Sequence, residues 1–157
     1  MNAPTNLSYG ITRLTRKILF SIASRSPFLK ATYRARLFKW GGVNIIDPRR
    51  TFIGYGVVFD DLNPQDITIH PDTLITQGCV ILAHFVTGTH KNFFYMERGK
   101  VVIERNCFIG MNTVIVKAIT IKEGAIIGAN SVVTCNIPAH QIWGGNPAKY
   151  IKERGNL

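Results

Sequence analysis

From position 103 the chain keeps a step of six. Ile103, Ile109, Ile115, Ile121, Ile127 and Val133 are all aliphatic, and the fourth residue after each is small or aliphatic: Cys107, Thr113, Ile119, Ala125, Ser131 and Ile137. An amphipathic helix needs apolar residues at steps of three and four, and a half-buried strand needs steps of two. A step of six meets neither requirement. It fits a solenoid built from six-residue faces, in which leading aliphatics stack about 4.8 Å apart, the spacing of neighbouring strands. The fourth-position residues share that narrow core near a corner, which favours small side chains. Asn112, Gly124 and Asn130 fall where the backbone must bend, and both residue types tolerate the left-handed region.

The same phase runs more faintly through the preceding residues. Strand-like segments begin at Val43-Asn44-Ile45-Ile46, Ile53-Gly54 followed by Val57 makes a first repeat, and Phe59 leads a second. The turn-rich stretch DDLNPQD, residues 60–66, then breaks the register at a corner. The phase resumes at Ile69, Ile75 and Ile81, with Thr73, Cys79 and Phe85 at the fourth positions. Residues 87–100 have no such phase and are expected to leave the solenoid as a loop, where a rigid scaffold tends to carry its chemistry.

Residues 1–7 read as a flexible terminus. A helix is expected from Ser8, with Ile11, Leu14, Ile18 and Ile22 on one stripe and Arg13, Arg16 and Lys17 in another sector. Ser26-Pro27 reads as the cap of a second helix running through Leu29, Tyr33, Leu37 and Trp40 to the stop at Gly41-Gly42. The two helices are expected to cover an open end of the solenoid, with Phe38 and Trp40 in the core. Asn146-Pro147 is expected to cap a short C-terminal helix from Ala148 to about Arg154. The expected organisation is a helical segment over 1–42, the solenoid over 43–140 with its extruded loop, and a tail over 141–157.

The length, 157 residues, suits one domain with a sizeable core. No run reaches the roughly 20 apolar residues of a membrane span, and no signal peptide stands out. Of the three cysteines, Cys79 and Cys107 fall at small core positions and read as buried free thiols in a reducing cytoplasm. The net charge of +10 is concentrated at one end: Arg13, Arg16, Lys17, Arg25, Lys30, Arg34, Arg36 and Lys39 lie within 1–42, which holds no acid. That charge serves either a solvated helical face or contact with an anionic membrane surface or substrate. No recognition motif accompanies it, so nucleic acid is not an expected partner.

The stretch IGMNTVIVKAITIKEGAIIGANSVVTCNIP, followed by IWGGNPAKYIKERG, resembles the hexapeptide-repeat acyltransferases, particularly the sugar and polysaccharide O-acetyltransferases. The resemblance covers about residues 43 to 153. It implies a mainly β chain, a left-handed parallel β-helix with N-terminal helices and a short C-terminal helix. It also implies a homotrimer that takes acetyl-CoA and a carbohydrate acceptor, with no metal expected. The location implied is the cytoplasm, with the inner face of the membrane as a site of work and peripheral contact through the basic helices.

Acyl transfer from a thioester to a hydroxyl needs a base for the hydroxyl proton, and neutral imidazole suits that task near pH 7. Of the four histidines, His70 and His140 read as surface residues. His84 and His90 lie where the repeat gives way to the loop, the place of the catalytic histidine in the resembling family. VILAHF resembles an ILTH segment in a branch that also shares IW(A/G)GNPAK, which favours His84. TGTH resembles another branch and keeps His90 open as base or acceptor-orienting residue. The resemblance further implies that Gly110, Met111 and Ala129 border the pantetheine arm of CoA and that Thr134 and Lys149 lie near its phosphates. Cys135 stands where a lysine is usual, and Phe108 where tryptophan is common. Other readings of the same fold are an amino-sugar N-acetyltransferase, a γ-carbonic-anhydrase-like metal enzyme and a non-catalytic trimeric scaffold.

Overall fold

The computed structural model describes residues 7–90 and 93–155. Two helices, α1 (Leu7–Arg25) and α2 (Ala31–Trp40), precede a long series of short strands. The strands come in passes of three. The first pass is β1 (Asn44–Ile45), β2 (Thr51–Ile53) and β3 (Val58–Phe59), and the second is β4 (Ile67–Ile69), β5 (Thr73–Ile75) and β6 (Val80–Ile81). An antiparallel hairpin follows, β7 (His84–His90) with β8 (Phe93–Arg98). Two further passes are β9 (Val101–Ile103), β10 (Phe108–Ile109) and β11 (Val114–Ile115), then β12 (Thr120–Ile121), β13 (Ile126–Ile127) and β14 (Val132–Val133). β15 (Gln141–Gly144) and β16 (Lys149–Glu153) close the chain.

Strands β1–β6 and β9–β14 pair in parallel and visit three sheets in rotation. The first sheet is ordered β1-β4-β9-β12, the second β16-β15-β13-β10-β5-β2 and the third β14-β11-β6-β3. This rotation is the structural meaning of the six-residue step. Ile103, Ile109, Ile115, Ile121, Ile127 and Val133 are all fully buried, and so are Thr113, Ala125 and Ser131 at fourth positions. Burying each such isoleucine is worth roughly 1.5–3 kcal/mol. Asn112, Gly124 and Asn130 take positive φ at 57°, 70° and 56°. The Thr113 and Ser131 hydroxyls both donate to the Gly128 carbonyl, at 3.2 and 2.6 Å, so these core alcohols are satisfied.

The helices cover the strands of the first pass, as expected, but not through the expected face. Phe20 of α1 meets Phe38 of α2 edge-on at 5.1 Å, and Phe38 meets Phe59 of β3 at 4.7 Å. Among the described side chains of α1, Phe20 and Ala23 are buried, while Leu14, Ile18 and Ile22 face away from the protein; Trp40 of α2 is 72% exposed. Ile11's side chain lies outside the described residues, as does the terminus at 1–6. α2 starts at Ala31 after Lys30, not at Ser26-Pro27; the Ser26 carbonyl instead accepts from the buried Arg34 guanidinium at 2.8 Å. Gly41 and Gly42 stop the helix as read, Gly42 with φ of 110°.

The segment expected to leave the solenoid, 87–100, lies largely in the antiparallel β7–β8 ribbon. One further expectation is corrected. The expected C-terminal helix is β16, antiparallel to β15. Its pairing wins over local helix propensity because Trp143 and Tyr150 meet edge-on at 6.3 Å and Arg154 ties down the far end. The Arg154 guanidinium donates to the Asn106 and Gly124 carbonyls, both at 2.9 Å.

Candidate active site

The pairing Phe59–Ile81–Ile115–Val133 in the third sheet sets the next residues, Asp60, Leu82, Val116 and Thr134, in a row along its exit corner. Backbone bonds fix the row: Asp60 N–H donates to the Ile81 carbonyl at 2.9 Å, Leu82 N–H to Ile115 at 3.0 Å and Val116 N–H to Val133 at 3.2 Å. Two positions beyond Leu82, His84 opens the hairpin and its ring Nδ1 bonds the Asp60 carboxylate.

Asp60 is a fully buried carboxylate with a complete set of donors. Its oxygens accept from Leu62 N–H and Ala83 N–H, both at 3.0 Å, and from His84. Burial alone pushes this carboxyl upward, but the bonds from His84, Leu62 and Ala83 outweigh it and hold the group below its ordinary value. An ionised carboxylate can only accept, so Nδ1 of His84 carries a proton. In the neutral ring the lone pair then sits on Nε2. The His84 side chain is 26% exposed while that of Asp60 is 0% exposed. A partly exposed ring held at Nδ1 by a buried carboxylate, with its other nitrogen left to accept, is suited to take a proton from a hydroxyl.

The hairpin root is joined to the 60–66 insertion at a second point. Arg98, paired across the ribbon with His84, grips Asp66 through Nε at 3.0 Å and Nη2 at 3.3 Å. Gly99 then returns the chain to the body, its N–H donating to the Ala83 carbonyl at 2.9 Å. A Cβ at Gly99 would lie 2.4 Å from that of Ala118, so glycine is required by this close passage.

His84 is thus at the centre of the site. His90 is the last residue of β7, paired through its backbone with Phe93, and its side chain lies outside the described residues. Thr134 shares the exit-corner row with Asp60. Gly110, Met111 and Ala129 form a second ridge at the entry to the third sheet: a Cβ on Gly110 would lie 2.5 Å from Ala129 N, and the Met111 carbonyl accepts from Asn130 N–H at 2.7 Å. Lys149 is exposed at the start of β16, just after Ala148, whose N–H donates to Val132 at 2.8 Å. Within one chain the two ridges stand at opposite ends of the third-sheet strands and do not meet. Cys79 and Cys107 are buried, and burial pushes both thiols upward, Cys107 to about 12, so neither supplies a thiolate.

Asp60 is the functional residue that sequence reasoning missed. Its signal was weak: a carboxylate directly after the leading Phe59, in a repeat position that the insertion shifts out of phase with Leu82 and His84.

Residues 100–135 match the family described as bacterial transferase hexapeptide (six repeats). Those residues are a hexapeptide-repeat segment of the bacterial transferase type. A Staphylococcus aureus (strain Mu50) protein that carries the name of an acetyltransferase is 35% identical over 79 residues, 50% of this chain and 40% of that one. The Escherichia coli K12 protein WcaF, which carries the name of a colanic acid biosynthesis acetyltransferase, is 31% identical over 119 residues, 71% of this chain and 63% of its own length. The hexapeptide-repeat chain therefore spans less than two thirds of these relatives. Its fold is shared with a hexapeptide-repeat acetyltransferase of Vibrio cholerae, at TM-score 0.71 and 21% identity over 97% of this chain and 96% of that one. The Vibrio protein has also been solved with acetyl-CoA, in a structure that matches at TM-score 0.70 and 18% identity over 99% and 94% of the two chains.

Proposed function

We propose that this protein is an acetyl-CoA-dependent O-acetyltransferase acting on a hydroxyl of a sugar or surface-polysaccharide intermediate. The observation that carries the reading is the Asp60–His84 pair, a base with its tautomer fixed and one nitrogen free. Acetyl-CoA supplies an activated acyl group whose thioester carbon accepts an oxygen nucleophile. His84 Nε2 removes the acceptor's hydroxyl proton as its oxygen bonds that carbon. Asp60 stabilises the imidazolium that results, and His84 returns the proton to the departing sulfur as the C–S bond breaks. No acyl-enzyme forms: Cys79 and Cys107 are buried, and the exposed Cys135 has no base bonded to it among the described residues.

The ridge on which Met111 and Ala129 are exposed beside the buried Gly110 suits a pantetheine arm lying along backbone, and Lys149 offers a cation to phosphate. Because this ridge and His84 occupy opposite ends of the third sheet, the complete site would combine ridges from adjacent copies in a trimer. The three sheets would then be the faces of a left-handed parallel β-helix over 43–140, between the helical segment at 1–42 and the tail at 141–157. The work would take place in the cytoplasm at the inner face of the membrane.

Thermal unfolding with and without acetyl-CoA tests the reading. A ligand at a hundred times its dissociation constant stabilises the native state by about 2.7 kcal/mol, which gives a clear, dose-dependent rise in Tm. No shift at millimolar acetyl-CoA would sink it. An acceptor screen with matched hydroxyl and amino sugars then separates O- from N-transfer.

A further inference from the structure

We infer that the outward faces of α1 and α2 form a docking surface for an anionic phospholipid bilayer. The inference sharpens the membrane contact in the reading above and rests on that reading only for its purpose; acyl transfer is not needed for it to hold.

α1 is amphipathic in an unusual sense. Its small buried face, Phe20 and Ala23, packs on the body, while Leu14, Ile18 and Ile22, four residues apart, form an apolar row on the opposite side, exposed by 61%, 49% and 47%. α2 repeats the arrangement. Ala35 and Phe38 are buried, and Tyr33 and Trp40, seven residues apart and so on one face, are exposed by 50% and 72%. Phe28, in the turn between the helices, is 95% exposed. Apolar area of this extent between Leu14 and Trp40 is costly to leave in water.

The charge around these side chains selects the occupant. All eight ionisable side chains of 1–42, tyrosine aside, are basic. Lys17 and Arg25 are exposed beside the Leu14–Ile18–Ile22 row, and Lys30 and Lys39 are exposed on either end of α2. An apolar row with cations beside it on α1, and exposed Tyr33 and Trp40 on α2, match the boundary between acyl chains and anionic headgroups. A second copy of the same face would oppose like charges, and nucleic acid would leave the aliphatic row unsolvated. Among the described residues no helix is long and apolar enough to cross a membrane, so the contact lies on the surface.

The docking surface backs directly onto the candidate site. Through Phe20 and Phe38, α1 presses on Phe59, the residue before Asp60, and Arg16 of α1 donates to the Asp61 carbonyl at 3.3 Å. A bilayer under these helices therefore lies at the end of the molecule where the Asp60–His84 pair sits. The acceptor class this favours is a glycan presented on a membrane lipid.

The test is co-sedimentation of the full chain with vesicles of phosphatidylcholine alone or with about 30 mol% phosphatidylglycerol, at roughly 50 and 500 mM salt. The full chain should partition to the anionic vesicles, at least about tenfold less at high salt and on neutral vesicles. A triple variant, Leu14→Ser with Ile18→Ser and Ile22→Ser, should lose at least about tenfold in partitioning while keeping its Tm and its response to acetyl-CoA. Ser21→Glu, an exposed change that places an acid beside the row, provides a second variant with the same expectation should the triple variant misfold. Absence of binding to anionic vesicles overturns the proposal, as does binding that neither variant weakens. A fall in the variants' molecular mass in solution overturns it too, because the face would then belong to a contact between copies. The acetyl-CoA response, read on the same samples, reports separately on the proposed enzymatic activity.

Discussion

His84 and Asp60 make separable predictions. His84→Ala removes the proposed base and should lower kcat by about 10²–10⁴-fold while leaving the acetyl-CoA-induced rise in Tm in place. Asp60→Asn keeps the shape but no longer fixes the ring tautomer, so kcat should fall by at least about tenfold with little change in the acceptor KM. The same carboxylate links stability to pH. Its folded-state value is held below the ordinary one, so its contribution is fully present above the ordinary carboxylate pKa, about 3.9, and is lost as pH falls through the folded value. The Tm gap between wild type and Asp60→Asn should therefore shrink on acidification below about pH 4; a gap unchanged to pH 2 would contradict the assignment. Gly110 and Gly128 give a finer contrast, since both follow a leading isoleucine. A Cβ on Gly110 would meet backbone at 2.5–2.7 Å, whereas one on Gly128 would meet nothing nearer than 3.6 Å. Gly110→Ala should cost about 1–3 kcal/mol and Gly128→Ala within about 0.5 kcal/mol, as read by chemical denaturation. The six-residue repeat alone does not tell the two glycines apart, and it gives Asp60 only a weak signal. Both differences depend on which residues of one pass lie over the next, and the insertion at 60–66 obscures that alignment.

At the scale of elements, the leading-aliphatic phase was legible because each buried isoleucine repeats one local environment. The ends were not. The Leu14–Ile18–Ile22 stripe predicted a helix correctly but misassigned its buried face, since Phe20 and Ala23 fit the aromatic plug formed with Phe38 and Phe59. The segment Ala148–Arg154 has a helix-like opening and still forms a strand. The reason lies far away in sequence, in an open edge at β15 and two carbonyls, of Asn106 and Gly124, that accept from Arg154. Charge-assisted hydrogen bonds of this kind are worth about 1.5–3 kcal/mol at most, and less when partly solvated. Arg154→Ala should therefore lower stability by about 1 kcal/mol and speed amide exchange in β16 relative to β13. If exchange in β16 is unaltered, the Trp143–Tyr150 pair alone suffices to hold the strand.

At the scale of the whole molecule, the outward faces of the sheets differ in a way that bears on assembly. The first sheet shows Asn44, Thr68, Val102 and Thr120 in register, a mostly polar row. The second shows Phe52, Leu74, Phe108, Ile126 and Ile142, an apolar ladder across five strands, in which Phe52, Leu74 and Phe108 are 46%, 43% and 39% exposed. Nothing in the folding of one chain requires large side chains to point outward at successive rungs, and a contiguous ladder of this kind is expected to be covered. A rotationally closed ring covers it while pairing one copy's Gly110–Met111–Ala129 ridge with another's His84, as the proposed shared site requires. Light scattering should then give a mass three times the 17.5 kDa of the single chain. Lysines at rungs 74 and 108, as Leu74→Lys with Phe108→Lys, would bury charge in that contact and should shift the protein toward 17.5 kDa without unfolding it. Loss of the acetyl-CoA response together with the trimer would tie the cofactor ridge to a neighbouring copy. A single-chain mass for the wild type would instead separate the two ridges for good and require His84 to work with groups of its own chain.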